Sequence, residues 1–266
     1  MEKKMMYSFV VLIVIAVIAF VIGGSQPKSV KNLVSYDNQL APAPLLTELV
    51  IPNNISNQIG IGVTQYAQTK MANNTLITHD GKPEILYIGA EYCPFCAAER
   101  WAMVIALMRF GSFSNLRLMT SSANVQEYSP STPTFTFYNS TYTSNYISFV
   151  SVEETTNNYS TLQQPNASEL ALFSKYDPQG GIPFILFANK SIQVSSNYDP
   201  KSVLYGKNWS VIGSDLHNSS SVQAQAIIGS ANLLTAEICE TTNNTPSSVC
   251  SQQYVTQIEK NIRGSA

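Results

Sequence analysis

The 266-residue chain has few charged side chains, and this scarcity limits its partners. Asp, Glu, Lys and Arg make up only 12% of the sequence, as 15 basic and 17 acidic residues. No Lys- or Arg-rich run occurs, so we expect no basic surface and no nucleic-acid partner. Ser, Thr, Asn and Tyr fill much of the remainder, which is typical of a hydrated but uncharged surface.

Residues that bind metals are equally scarce. The chain has two histidines and four cysteines. Cys93 and Cys96 are the one closely spaced pair, whereas a structural zinc site usually needs four ligands. Cys239, Cys250 and the histidines supply no second such pair. We therefore expect no metal site, and C-x-x-C indicates redox chemistry or a purely structural bridge.

The surroundings of Cys-Pro-Phe-Cys, residues 93–96, favour redox chemistry. The motif follows an apolar run at 84–90, which predicts a strand, and precedes a helical pattern at 97–110. A cysteine at this junction lies over the unpaired N–H groups that begin the helix, and their partial positive charge favours its thiolate. Cys93 is therefore the predicted nucleophile and Cys96 the resolving thiol. The thiols transfer the electrons themselves, so no cofactor is needed.

The remaining pattern alternates strands and helices, which predicts an α/β fold. Alternating residues at 115–120, 134–138 and 146–152 predict strands, and 166–176 predicts a helix. A hairpin is expected at 183–194.

The last predicted elements are two helices, at 221–241 and 251–263. Cys239 ends the first and Cys250 begins the second, so their short separation predicts a structural disulfide. A second redox relay is the alternative.

The N-terminal residues predict a membrane anchor. Residues 6–22 are apolar apart from Ser8, which is just long enough to span a bilayer. Lys3 and Lys4 precede them, so the N-terminus is expected inside and the rest outside. A cleaved signal peptide is the alternative, but the run exceeds the usual length. The predicted domains are a signal anchor at 1–24, a linker at 25–44 and an extracytoplasmic domain at 45–266. Its several N-x-S/T sequons predict a glycoprotein.

Two segments resemble the thioredoxin-like superfamily. Residues 90–96, Ala-Glu-Tyr-Cys-Pro-Phe-Cys, are similar to its active-site segment, and residues 181–185, Gly-Ile-Pro-Phe-Ile, are similar to its cis-proline loop. The resemblance covers roughly residues 80–195. It implies a central sheet with flanking helices, to which this chain adds a transmembrane helix and a C-terminal helical pair. The whole chain resembles a family of membrane-anchored archaeal proteins that carry a domain of unknown function.

The resemblance also implies roles for individual residues. Pro183 would be cis, and the Ile182 backbone would pair with an extended substrate. Tyr87 stands where thioredoxins commonly have a buried Asp, which leaves Glu91 and Glu99 as the nearest acid–base candidates. The alternative interpretation is that both are solvated carboxylates.

These features predict a membrane-anchored extracytoplasmic thiol–disulfide oxidoreductase. Tyr92 and Phe95 flank Cys93 and are predicted to contact the substrate. The expected partners are thiols and disulfides of exported proteins and a membrane redox partner that resets the pair. Two alternatives remain: a non-catalytic surface glycoprotein that keeps Cys93–Cys96 as a fixed bridge, and a reductase supplied with electrons by a membrane donor.

Overall fold

The computed structural model describes residues 33–64, 75–124 and 126–264 and shows a mixed α/β architecture. The strands are β1 Thr78–His79, β2 Lys82–Gly89, β3 Gly111–Ser114, β4 Arg117–Thr120, β5 Pro133–Thr136, β6 Thr141–Ser144, β7 Ser148–Glu153, β8 Phe184–Phe187 and β9 Ser191–Val194. The helices are α1 Ala43–Glu48, α2 Asn53–Ile59, α3 Pro94–Met108, α4 Ala167–Tyr176, α5 Pro200–Val203, α6 Trp209–Asp215, α7 Gly229–Thr241, α8 Ser247–Cys250 and α9 Gln253–Gly264. A 3₁₀ turn forms at Leu33–Tyr36 and a π-helical turn at Ala224–Ile228.

Strand β2 is at the centre of the main sheet, which has five strands within the described residues. It pairs in parallel with β7, with Gly89 opposite Glu153, and antiparallel with β8, with Ile88 opposite Phe184. Strand β9 pairs with β8, and β1 with the start of β2. The carboxyl ends of β2 and β7 therefore meet the beginning of β8 at one edge of the sheet.

Both faces of β2 are buried, which explains its nearly continuous apolar sequence. Ile85 and Tyr87 belong to the larger core, which lies on the side of α3. Leu86 and Ile88 face a smaller core, where Phe173 of α4 packs against the sheet. Helices on opposite faces thus cover the strand that leads into the Cys-Pro-Phe-Cys motif.

Helix α3 begins at this motif and is buried on all sides. Cys93 is the N-cap residue, and Pro94 takes the first helical position, where its missing N–H costs nothing. The sequence predicted one apolar face on this helix, but Glu99 and Arg100 are also fully buried. The difference arises because α7 and the preceding π-helical turn cover the side of α3 that would otherwise face solvent.

The π-helical turn contacts the loop after α2 through the backbone. Val63 N–H donates to the carbonyl oxygen of Gln225 at 3.3 Å. Gly62 has a positive φ and lies so close to this carbonyl that a Cβ would be only 2.0 Å from its oxygen. Only glycine fits both requirements, which fixes this loop against the helix.

Part of the predicted linker packs on the domain. Leu33 and Ala41 are buried in the larger core, and Ala41 N–H donates to Leu116 O at 2.8 Å. Residues 33–44 are thus integrated into the fold, while 25–32 lie outside the described residues. The predicted strand at 134–138 corresponds to β5, which pairs with β4 in a separate two-stranded sheet. The β3–β6 sheet was not predicted from the sequence.

The membrane-spanning part of the predicted fold class is corrected by the structure. No helix in the described residues combines the length and the apolar character needed to cross a bilayer. Helix α3, the most completely buried, has 15 residues, so it extends roughly 22 Å against a hydrocarbon core of about 30 Å. The prediction of a single-pass membrane protein with an extracytoplasmic domain is contradicted by this finding. The segment 1–24 itself lies outside the described residues.

Cys239 and Cys250 form the disulfide that their spacing predicts. Replacing both by Ala should lower the free energy of unfolding by about 2.5–3 kcal/mol, because the bridge closes a loop of 11 residues in the unfolded chain. Urea denaturation measures the change. Ser248→Ala, an exposed substitution in the same loop, is the control and should change stability by less than about 0.5 kcal/mol. A loss no larger than in this control would contradict the structural role of the bridge.

Candidate active site

The two thiols lie where β2 ends and α3 begins. Cys93 N–H donates to Ala90 O at 3.3 Å, which closes the turn between the strand and the helix. Cys93 has an extended backbone conformation, and its sulfur accepts a hydrogen bond from the N–H of Cys96 at 3.3 Å. One of the unpaired N–H groups of the helix is therefore satisfied by the sulfur of Cys93, as expected for a side chain at the N-cap.

The two sulfurs have different environments. Both cysteines carry free thiols, and Cys93 is 6% exposed while Cys96 is fully buried. Hydrogen bonds from the thiol and the backbone of Cys96 lower the pKa of Cys93 against the opposing effect of burial. Burial and the neighbouring Cys93 raise the pKa of Cys96 well above its usual value. Cys93 is thus the thiol that ionises first and the one nearer to solvent.

A loop before β8 faces Cys93. The Ile182–Pro183 peptide bond is cis, and Cys93 Sγ lies 3.9 Å from the carbonyl oxygen of Ile182. The loop is fixed on both sides, because Gly181 N–H donates to Asp177 Oδ2 and Ser195 N–H donates to Pro183 O. The pairing of β8 with β2 brings this loop to the thiols across 89 residues of sequence.

A buried ion pair lies beneath the motif. Arg100 donates from Nε to Glu153 Oε1 at 2.9 Å and from Nη2 to Glu153 Oε2 at 2.6 Å, and both side chains are 0% exposed. Arg100 Nη2 also donates to Ala90 O at 2.7 Å. Glu153 reaches this position because it ends β7, whose last residue lies beside Gly89 of β2. The pair joins the strand edge, the helix and the turn before Cys93.

The acid–base candidates are buried, so the alternative of solvated carboxylates is wrong. Glu91 accepts a hydrogen bond from Thr136 Oγ1 at 2.7 Å, and burial raises the pKa of Glu91. Glu99 accepts bonds from Asn197 N–H at 3.1 Å and from Ser230 Oγ at 3.2 Å. Burial raises the pKa of Glu99 to about 7.

Aromatic side chains border the thiols on two sides. The Tyr92 ring lies 4.9 Å from that of Tyr159, and the Phe95 ring stacks on that of Tyr128 at 5.8 Å. Tyr159 and Tyr128 are 47% and 49% exposed, and Lys201 Nζ lies 5.2 Å above the Tyr128 ring. We call Tyr92, Phe95, Tyr128 and Tyr159 the aromatic rim.

A cleft of about 310 Å³ opens next to Tyr159 and continues the rim. Its walls include Ser122, Asn157 and Asn158. Ser122 N–H donates to Tyr92 O at 3.0 Å, which connects the cleft to the turn before Cys93. Its lining is mostly apolar, with contributions from Val34 and Ala123, and amide and hydroxyl groups supply the smaller polar part.

The structure brings together most of the residues that the sequence pointed to. Cys93, Cys96, Ile182 and Pro183 meet at one edge of the sheet, with Tyr92 and Phe95 alongside. Cys239 and Cys250 form a separate bridge. In the part of the chain that the structure describes, no cluster of three or more His, Cys, Asp or Glu side chains is arranged to hold a metal ion.

Four residues of the site were missed by sequence reasoning. Arg100 and Glu153 are 53 positions apart, and only the parallel pairing of β2 with β7 makes them neighbours. Tyr128 and Tyr159 lie in loops, whose sequences show no periodic pattern from which their positions could be predicted. The adjacent Glu99 and Arg100 inside an otherwise apolar helix were the one available clue, since a buried charge requires a partner.

The raised pKa of Glu99 predicts a pH-dependent stability. Its folded pKa of about 7 exceeds the ordinary 4.5, so the folded state retains a proton that the unfolded chain releases. This contribution is complete below pH 4.5 and is lost as the pH rises through 7. Between pH 5 and pH 8 the wild type should lose roughly 2–3 kcal/mol more than Glu99→Gln, as measured by urea denaturation.

The exposed substitution Ser248→Ala, which removes no titrating group, is the control for this measurement. It should leave the pH dependence of the wild type unchanged. Parallel stability curves for the wild type and Glu99→Gln would show that Glu99 titrates normally in the folded protein.

Comparison with known proteins gives a family without an assigned function. The profile described as "Domain of unknown function (DUF929)" matches residues 68–240, well over half of the chain. The match includes both thiols of the motif and the Ile182–Pro183 loop. No curated protein and no solved structure matches the chain. The chain belongs to the DUF929 family.

Proposed function

We propose that the protein is a thiol–disulfide oxidoreductase in which Cys93 is the nucleophile and Cys96 the resolving thiol. One observation supports this most directly: the sulfur of Cys93 caps α3, accepts the N–H of Cys96 at 3.3 Å and faces the cis-proline loop at 3.9 Å. A sulfur in this position has a lowered pKa and can reach a substrate held against the loop.

The reaction requires only sulfur chemistry. The Cys93 thiolate attacks one sulfur of a substrate disulfide, forms a Cys93–substrate bond and releases the other substrate sulfur as a thiolate. Cys96 then attacks Cys93, the Cys93–Cys96 disulfide forms, and the second substrate sulfur leaves with the proton that Cys96 gives up. The substrate is reduced by two electrons and the protein is oxidised by two, and the reverse sequence transfers a disulfide to a substrate dithiol.

The arrangement of the elements supports the resemblance to thioredoxin-like proteins. Strands β7, β2, β8 and β9 form a sheet with α3 on one face and α4 on the other. The motif begins the helix that follows β2, and the cis-proline loop begins β8. We therefore include a thioredoxin-like core in the proposal.

The proposed substrates are cysteine-containing polypeptides. The aromatic rim provides apolar surface on two sides of Cys93, and the backbone at Ile182 can pair with an extended segment. The adjoining cleft offers hydrogen-bonding groups without strong charge. Such a surface suits polypeptides of varied sequence better than one small molecule.

One alternative has an observation in its favour. Cys93 and Cys96 are both buried, as they would be in a non-catalytic protein that keeps them as a fixed bridge. The lowered pKa of Cys93 favours the reactive thiol instead, because a structural bridge has no need of a stabilised thiolate. The reduction potential distinguishes the two, since structural disulfides usually lie below about −300 mV.

Substitution of each thiol tests the proposal. Cys93→Ser should abolish reduction of insulin and oxidation of a peptide dithiol, because it removes the attacking sulfur. Cys96→Ser should accumulate a mixed disulfide, visible by mass spectrometry, because nothing resolves it. The double variant Cys239→Ala/Cys250→Ala, assayed where it remains folded, is the matched control and should retain activity. Undiminished activity in Cys93→Ser would refute the proposal.

The direction of the reaction follows from the potential of the Cys93–Cys96 pair. Equilibration with glutathione buffers measures it in the intact protein. A value near the roughly −270 mV of thioredoxin indicates a reductase, and a value near −120 mV indicates an oxidase.

The aromatic rim makes a separate prediction. Tyr128→Ala and Tyr159→Ala should each raise KM for a polypeptide substrate about 3- to 10-fold, the loss expected for one aromatic contact. The reaction with a small aromatic disulfide should keep its rate, because the thiols are untouched. Val50→Ala removes exposed apolar surface elsewhere and serves as the control. Equal KM values in all three variants would exclude the rim from substrate binding.

A further inference from the structure

The buried pair Arg100–Glu153 is hard to explain by stability alone. Removing two charges from water costs several kcal/mol for each, and apolar residues of similar volume usually stabilise a protein as well or better. The pair nevertheless lies fully buried between α3 and the end of β7. Its position next to the thiols points to a role in their chemistry.

The guanidinium has hydrogen-bonding capacity left over. Nε and Nη2 of Arg100 bind Glu153 and Ala90, but buried Nη1 has no hydrogen-bond partner among the described residues. The hydroxyl of Tyr87 is also buried and, within the same ranges, makes no hydrogen bond. The Arg100 guanidinium carbon lies 5.9 Å from the centre of the Tyr87 ring. Two unpaired donors thus share one small region, although unpaired buried donors are rare.

This region borders Cys96. Arg100 follows Cys96 by one helical turn on α3, so their side chains lie on the same face. The charge of Arg100 lowers the pKa of both cysteines, although it is the dominant influence on neither. The other ionisable groups that act on the two sulfurs or on the pair are Tyr87, Tyr92 and Glu91.

We propose that Arg100 is a positioning residue for the resolving step, in which its guanidinium, fixed by Glu153, stabilises the negative charge that develops on Cys96. Cys96 is fully buried, so water cannot provide this stabilisation. Glu153 holds the guanidinium in place and reduces its net charge. The inference rests on the proposed oxidoreductase function and adds to it the source of the reactivity of Cys96.

The step balances without a further reactant. Cys96 loses its proton and attacks the sulfur of Cys93 in the mixed disulfide. The Cys93–Cys96 bond forms while the bond from Cys93 to the substrate breaks, and the departing substrate sulfur takes up the electron pair and then a proton. Arg100 exchanges neither electrons nor protons and acts through its charge.

A chromophoric disulfide, dithiobis(nitrobenzoate), separates this step from the first. Attack by Cys93 releases one thionitrobenzoate, and attack by Cys96 on the resulting mixed disulfide releases a second. The pH dependence of the second phase, followed by stopped-flow absorbance in the full-length protein, gives the apparent pKa of Cys96 in that intermediate.

Two variants should shift this pKa in opposite directions. Arg100→Met/Glu153→Met replaces the pair by apolar residues and should raise the apparent pKa by about one unit, which slows the second phase roughly tenfold at pH 7. Glu153→Gln leaves the guanidinium with its full charge and should lower the pKa. A purely structural pair would give the same direction of change in both. Met103→Leu, another buried change on α3 that keeps the side-chain volume, should alter the rate less than about threefold.

An unchanged pKa in both variants, or shifts of the same sign, would overturn the inference. If the double variant does not fold, the test rests on Glu153→Gln. An unchanged or raised pKa of Cys96 in that variant would then overturn the inference. A shift in Met103→Leu as large as in the double variant would also overturn it. A wild type that releases no second thionitrobenzoate would instead refute the proposed function, so the two failures are distinguishable.

Discussion

The complete burial of α3 is the constraint on which the site depends. The helix lies between the main sheet and α7, so none of its faces is available to solvent. Every polar side chain on it must find its partners inside the protein, because an unpaired buried charge costs several kcal/mol. Arg100 binds Glu153 from the sheet edge, and Glu99 binds Asn197 and Ser230 from the opposite direction. The N-terminus of the helix, where Cys93 lies, is thus held by contacts on two sides.

This constraint gives the two cysteines different tasks. A helix that is closed all round exposes only its first residues, so Cys93 retains slight access to solvent while Cys96, three residues later, has none. Attack by an outside sulfur is then possible at one position, and the second thiol reacts only within the molecule. The selectivity follows from covering the helix and does not need an additional acid or base.

Local patterns in the sequence predicted the elements that meet at the site. The strand before Cys93 and the helix after it follow from the residues that form them, whereas the cis bond at Pro183 was expected only from the resemblance to thioredoxin-like proteins. The partner of Arg100 was not predictable in this way, because it depends on which strand pairs with β2 and in which register. The burial of Glu99 was unpredictable for a similar reason, because the sequence of one helix does not show that a second helix covers its polar side.

The π-helical turn at Ala224–Ile228 has a consequence for variation in chain length. A π turn accommodates one residue more than an α turn between the same two ends, so α7 keeps its orientation whether or not that residue is present. Losing it would, however, move the carbonyl of Gln225, which accepts the N–H of Val63 at 3.3 Å. The π turn thus acts on the neighbouring loop as well as on the helix in which it occurs.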